Sequence, residues 1–211
     1  MLLLIDNTIE GQGSSPREIR RALQQIEPDL RVVSESFHEI SPELVKSLNP
    51  SHIILSGQSH PWHRYLSESL AGVFYVIQNA SQPVLGVCGG QQQMALALGA
   101  PVDLIERLAP SEGYQGAFRE RGFCEVELDP ETGAGDKLFQ GLPKTITVWE
   151  SHCDEVKELP PDFIRTGTNA VSPIQAMRHI SRPLFGVQFH PELWDNQHPH
   201  GRTILENFLK L

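Results

Sequence analysis

Four short segments carry almost no polar residue: MLLLI at 1–5, HIIL at 52–55, PVLGV at 83–87 and PLFGV at 183–187. A strand with one wet face alternates apolar and polar residues, whereas a strand covered on both faces does not. These runs therefore call for a largely parallel sheet with helices on either side, provided helices separate them. Helical patterns do. Ser15 stands as a cap, with Pro16 at the first helical position and Glu18 closing a capping box. Ile19, Ala22, Leu23 and Ile26 then share one face, and Pro28 ends the helix. RVVSESF at 31–37 reads as a strand, SPELVKSL at 41–48 as a short capped helix, His60 to about Gln78 as a helix, and the glutamine run to Leu98 as another.

Beyond residue 100 the pattern changes. VDLIERL, GFCEVEL, TITVWESH, DFIRTG, VSPIQAMRH and PLFGVQF all read as strands with few helices between them. They are expected to supply antiparallel additions and the remaining central strands. GRTILENFLKL closes the sequence as an amphipathic helix. With no repeat and no low-complexity linker, the 211 residues are expected to form one α/β domain over 1–211.

The formal charge of −9 argues against non-specific nucleic-acid binding, which needs clustered cations. No run is long enough to span a bilayer, and MLLLID has neither the basic start nor the length of a signal peptide. Cys88, Cys124 and Cys153 are odd in number and form no CxxC pair, so a disulfide framework is not expected and a reducing, cytoplasmic setting fits. Cys124 and Cys153 read as structural, and Trp149 as packing in the core or beneath a substrate loop.

Cys88 sits where a buried strand should give way to a helix, flanked by Gly86, Gly89 and Gly90. On such a bend the sulfur would project from the sheet edge toward unpaired helix N–H groups, as a nucleophile does on an elbow. A buried core cysteine is an equal reading of these residues alone. A nucleophile needs a base, and His190 follows a clean strand in PLFGVQFHPE. Glu192, two residues on, would point the same way in extended chain and orient the ring. A strand-end histidine before a surface turn is the competing reading. The pairs His60/His63 and His198/His200 lack third and fourth ligands on regular elements and read as surface loops, so no metal is expected.

GVCGGQQ, VWESHCDEV and GVQFHPE, in that order, closely resemble the class I (triad-type) glutamine amidotransferases, and the likeness runs from MLLLIDN to GRTILENFLKL. The resemblance implies a flavodoxin-like, doubly wound fold and no cofactor. It implies Cys88 as nucleophile, His190 as base and Glu192 as orienter in hydrolysis of the glutamine side-chain amide through a thioester. It implies Gln92, Ser151 and His152 as substrate-binding residues. It assigns the oxyanion hole to the backbone N–H of Gly89 and to the loop at Gly57, with Gln58 as donor. Relatives usually have glycine where this chain has Gln58, a bulkier residue in place of Gly89, and histidine in place of Gln91. Within the family, the motif order looks most like the glutaminase part of GMP synthases, with those of anthranilate and aminodeoxychorismate synthases next. No synthase signature follows the last helix, so the synthase that receives the ammonia is expected to be a separate subunit or a domain that was cut away. A stand-alone γ-glutamyl hydrolase, a peptidase-like relative and a non-catalytic regulatory homologue are the alternatives.

Overall fold

The computed structural model describes residues 1–211. Its main sheet has nine strands. Five are parallel neighbours: β1 (Leu2–Asp6), β2 (Val32–Ser36), β3 (His52–Leu55), β4 (Val84–Val87) and β11 (Leu184–Val187). Four antiparallel strands extend it: β6 (Glu120–Leu128), β7 (Thr145–His152), β9 (Phe163–Thr168) and β10 (Ala176–His179). The order is β2-β1-β3-β4-β11-β10-β9-β6-β7. A separate pair is made by β5 (Val102–Leu104) and β8 (Asp154–Val156).

Helices cover both faces, as the apolar runs require. Leu2 and Leu4 of β1 turn to the side of α1 (Ser15–Ile26) and α5 (His200–Phe208), meeting Ile19, Leu23, Ile204 and Phe208. Leu3 and Ile5 turn to the side of α2 (Pro42–Leu48), α3 (Ser67–Asn79) and α4 (Gly89–Ala97), meeting Val73, Ile77 and Met94. This two-residue alternation divides one sheet between two cores. The strand order reverses direction between β1 and β3, and ligands of open α/β sheets bind at the carboxyl ends beside such a switch.

Three expectations are corrected. The helix expected from His60 begins only at Ser67. Residues Trp62–Arg64 make a single 3₁₀ turn, and the Tyr65 hydroxyl donates to the Asn7 carbonyl, pinning this stretch over the sheet edge. VDLIERL yields only the three residues of β5, which pair with β8 rather than with the main sheet. Ser15 makes no capping bond: the cap position is Ser14, also without a side-chain bond, while the Ser15 hydroxyl is used elsewhere. The cap expected at Ser41 is present, accepting from the Leu44 N–H at 3.1 Å.

Candidate active site

Strand β4 ends at Val87 and α4 starts at Gly89, leaving Cys88 alone on the bend with φ 51° and ψ −107°. A non-glycine residue rarely adopts this conformation, and strain of this kind marks functional elbows. The helix can close on the strand because two side chains are missing. A Cβ on Gly86 would stand 2.5 Å from the backbone of Gly90, and one on Gly90 would stand 2.2 Å from the Leu55 carbonyl oxygen. The Cys88 N–H donates to Val187 O at 2.8 Å, tying the bend to β11. The sulfur is nearly buried but opens onto a cavity of about 210 Å³ that His190, Gln58, Tyr114, Ser151 and His152 also line.

His190 lies just past β11, and its N–H donates to Trp149 O at 2.8 Å, which fixes the chain after the strand. Its Nδ1 meets Glu192 Oε1 at 2.8 Å. Burial alone would push the His190 pKa down; the Glu192 carboxylate and the sulfur of Cys88 more than reverse this, and it is raised well above its ordinary value. The structure therefore brings Cys88, His190 and Glu192 together at the carboxyl ends of β4 and β11.

Ser15 is a site residue that sequence reasoning missed. Its hydroxyl donates to Glu192 Oε1 and accepts from the Gly57 N–H, both at 3.1 Å. The hydroxyl that fits a helix cap in the sequence instead bridges the loop after β3 and the carboxylate behind His190. No local pattern signals this, because the partners are 42 and 177 residues away.

In the loop after β3, the Ser56 hydroxyl donates to Gly57 O at 3.2 Å, and Asn7 binds Ser56 through both its N–H and its side-chain amide. The backbone N–H groups of Gln58 and Gly89 have no acceptor in the protein. Gln58 and Gly89 fit one another. A Cβ on Gly89 would fall 1.9 Å from Gln58 Oε1 and 2.4 Å from Gln58 N, so the Gln58 side chain occupies the space that glycine leaves.

Gln92 is enclosed. Its Oε1 accepts from Gln58 Nε2 (2.9 Å) and Trp62 Nε1 (2.8 Å), and its Nε2 donates to Asp154 O (2.8 Å) and Gln188 Oε1 (3.0 Å). A primary amide has no further bond to give in this arrangement. His152 is enclosed too: Nδ1 lies 2.9 Å from Asp154 O, and Nε2 lies 3.0 Å from Glu120 and 3.3 Å from Glu150. Burial opposes its charge, but the two carboxylates prevail and push its pKa up to about 10. Nδ1 faces a carbonyl and Nε2 faces two carboxylates, so both nitrogens are placed to donate. Glu120, Glu150 and His152 could be read as a metal cluster, their ligand atoms lying within 4.8 Å of one another. The Nε2–carboxylate separations and the carbonyl on Nδ1 are those of a hydrogen-bonded ion cluster.

Gln91 points inward beneath β11 and donates to Ile174 O at 2.9 Å. Arg119, which lines the cavity and donates from Nε to Cys153 Sγ at 3.4 Å, is a second residue that sequence reasoning missed; it follows a glycine- and aromatic-rich loop with no motif around it. Of the paired histidines, His60 bonds Ser59, His198 bonds Asp195 and stacks on Phe123, and His200 accepts from the Thr147 N–H. No helix is long and apolar enough to cross a membrane.

Comparison with known proteins accounts for this geometry. Residues 4–211 match the family model of the class I glutamine amidotransferases. A glutamine-hydrolysing GMP synthase subunit from Pyrococcus abyssi is 34% identical over 215 residues, covering 100% of this chain and 98% of the relative. The corresponding subunit from Methanopyrus kandleri is 33% identical over 214 residues, again covering 100% and 98%. The crystal structure of a GMP synthase subunit protein from Thermoplasma acidophilum superposes with a TM-score of 0.76 at 29% identity, covering 100% of this chain and 93% of that one. An elbow cysteine paired with a carboxylate-backed histidine agrees with what the family model and these relatives show: the chain belongs to the class I glutamine amidotransferases.

Proposed function

We propose that this chain is one amidotransferase unit that hydrolyses glutamine to glutamate and ammonia and delivers the ammonia to a separate, GMP synthase-like partner. The single observation that carries the chemistry is the strained elbow of Cys88 facing His190, whose other nitrogen is held by Glu192 at 2.8 Å. Cys88 attacks the side-chain amide carbon as the thiolate, since only that form is nucleophilic. The amide oxygen takes the negative charge and is met by the free N–H groups of Gln58 and Gly89. The C–N bond breaks as His190 gives its proton to the leaving nitrogen, releasing ammonia and leaving a γ-glutamyl thioester. His190 then takes a proton from water, which adds to the thioester; the C–S bond breaks and glutamate leaves. Glu192 orients His190 throughout and stabilises its protonated form.

Ser151 and Arg119 line the cavity and suit the amino-acid end of the substrate, Arg119 as the cation for its α-carboxylate. His152, held between Glu120, Glu150 and the Asp154 carbonyl, shapes the same wall. Gln92, with all its bonds inside the protein, holds the wall rather than the substrate. The GMP synthase subunits among its relatives support the partner: ammonia made here would pass to a synthase chain without release.

The test is incubation of the purified chain with glutamine, alone and with candidate synthases, measuring glutamate and ammonia. Cys88→Ala should abolish turnover and His190→Ala nearly so, while Glu192→Ala retains more. Turnover unchanged in Cys88→Ala would sink the assignment. The glutamine amide nitrogen appearing in a guanine nucleotide only with a GMP synthase-type partner would separate this reading from a stand-alone hydrolase.

A further inference from the structure

We propose that the oxyanion hole of this chain is locked in place by the Gln58 side chain, which seats in the gap at Gly89 and so holds its own backbone N–H toward Cys88. The inference rests on the glutaminase reading and deepens it.

A loop peptide can present its N–H or its carbonyl to a site, and only one choice stabilises an oxyanion. Here the choice is fixed from three directions. First, the Ser56 hydroxyl binds Gly57 O at 3.2 Å. The peptide is trans, as all are in this chain, so the Gln58 N–H points the opposite way from that carbonyl. Second, the preceding N–H, that of Gly57, is already committed to Ser15 and cannot compete for the oxyanion. Third, Gln58 Nε2 donates to Gln92 Oε1 at 2.9 Å and to Tyr114 Oη at 3.1 Å. Tyr114 is itself held by Asp154 at 2.6 Å, and Gln92 by Trp62, Asp154 and Gln188. The side chain is thus anchored through Nε2 to two held neighbours, while Oε1 is buried against Gly89 without a hydrogen-bond partner.

Gln58 is not among the residues with positive φ, so the loop takes a conformation open to any residue there, and what holds it is the fit of the side chain. The lock works only over Gly89, because any Cβ there would collide with both the Gln58 carboxamide and its backbone nitrogen. Gln58 is therefore a positioning residue acting through its own peptide, with Gly89 as its obligatory complement and Ser56 as a second anchor.

The test uses the chloroketone analogue of glutamine, 6-chloro-5-oxo-L-norleucine, whose ketone oxygen takes the place of the amide oxygen. Saturation kinetics of Cys88 alkylation give a maximal rate and a half-saturating concentration. Gln58→Ala keeps the N–H but removes the anchors. It should lower the maximal rate by about 10²-fold, the effect of a misplaced donor, with half-saturation within about threefold. Ser56→Ala should act in the same direction, and Gln58→Met, which fills the gap without the bonds, should fall between. Circular dichroism and thermal melting verify that each variant is folded. A folded Gln58→Ala with an unchanged maximal rate, a change confined to half-saturation, or a wild-type chain whose Cys88 is not alkylated would overturn the lock. Glutamine turnover persisting in Cys88→Ala would instead overturn the underlying glutaminase reading.

Discussion

At the scale of single residues, the site is defined by what each polar group already holds. Glu192 Oε1 receives both His190 and Ser15, while its second oxygen is buried without a partner. Ser15→Ala removes one hydrogen bond from that carboxylate and one from the Gly57 N–H. A hydrogen bond to a charged group is worth roughly 1.5–3 kcal/mol, so kcat should fall at least about tenfold, with Ser15→Thr recovering most of it. Steady-state glutaminase kinetics decide this, and a rate within twofold of wild type would show the contact is idle. Gly89→Ala drives a methyl group to 2.4 Å from Gln58 N, so turnover should drop by about 10²-fold while α4 remains intact by circular dichroism. The bend at Cys88 and the pairing of His190 with Glu192 were legible in the sequence because each lies in a short motif whose geometry is local. The enclosure of Gln92 and His152 was not, since their partners arrive from up to 96 residues away.

Elements were legible where burial alone decided them. β1, β3, β4 and β11 fall within the apolar runs because a two-sided core leaves no other use for such segments. β8 was missed: DEV carries two acids, and it pairs because Asp154, Glu155 and Val156 are covered by β5 and α4. The start of α3 was misplaced because Pro61 suggests a helical first turn, whereas Tyr65 and Trp62 are drawn to Asn7 and Gln92. The two serine caps separate local from tertiary demands. Ser41 meets only its own helix, so Ser41→Ala should cost about 1 kcal/mol of stability and leave glutaminase kinetics unchanged. Chemical denaturation and kinetics on the same preparation test both halves, and altered kinetics would imply an unseen link from α2 to the site.

For the molecule as a whole, buried charge sets the response to pH. His152 carries a folded pKa of about 10 against an ordinary value near 6.5. The folded state thus binds more protons than the unfolded chain between these values, and stability must fall as pH rises through them. Burial raises the Glu150 pKa as well, which gives the same sign at lower pH. Denaturation midpoints should therefore decrease from about pH 6.5 to pH 10, and the slope should flatten in His152→Gln. An equally steep slope in that variant would place the titration elsewhere.

The nine-stranded sheet changes character midway, and the catalytic cavity lies across that change. Cys88, Gln58 and Ser15 come from the parallel half, whereas Ser151 and His152 come from β7 of the antiparallel half, with Arg119 immediately before β6. His190 crosses between them, on a chain leaving β11 whose N–H is held by Trp149 of β7. Neither half encloses this cavity by itself. Catalytic competence is thus a property of the seam, and it arises only when two blocks of sequence that each form their own strands have come into register.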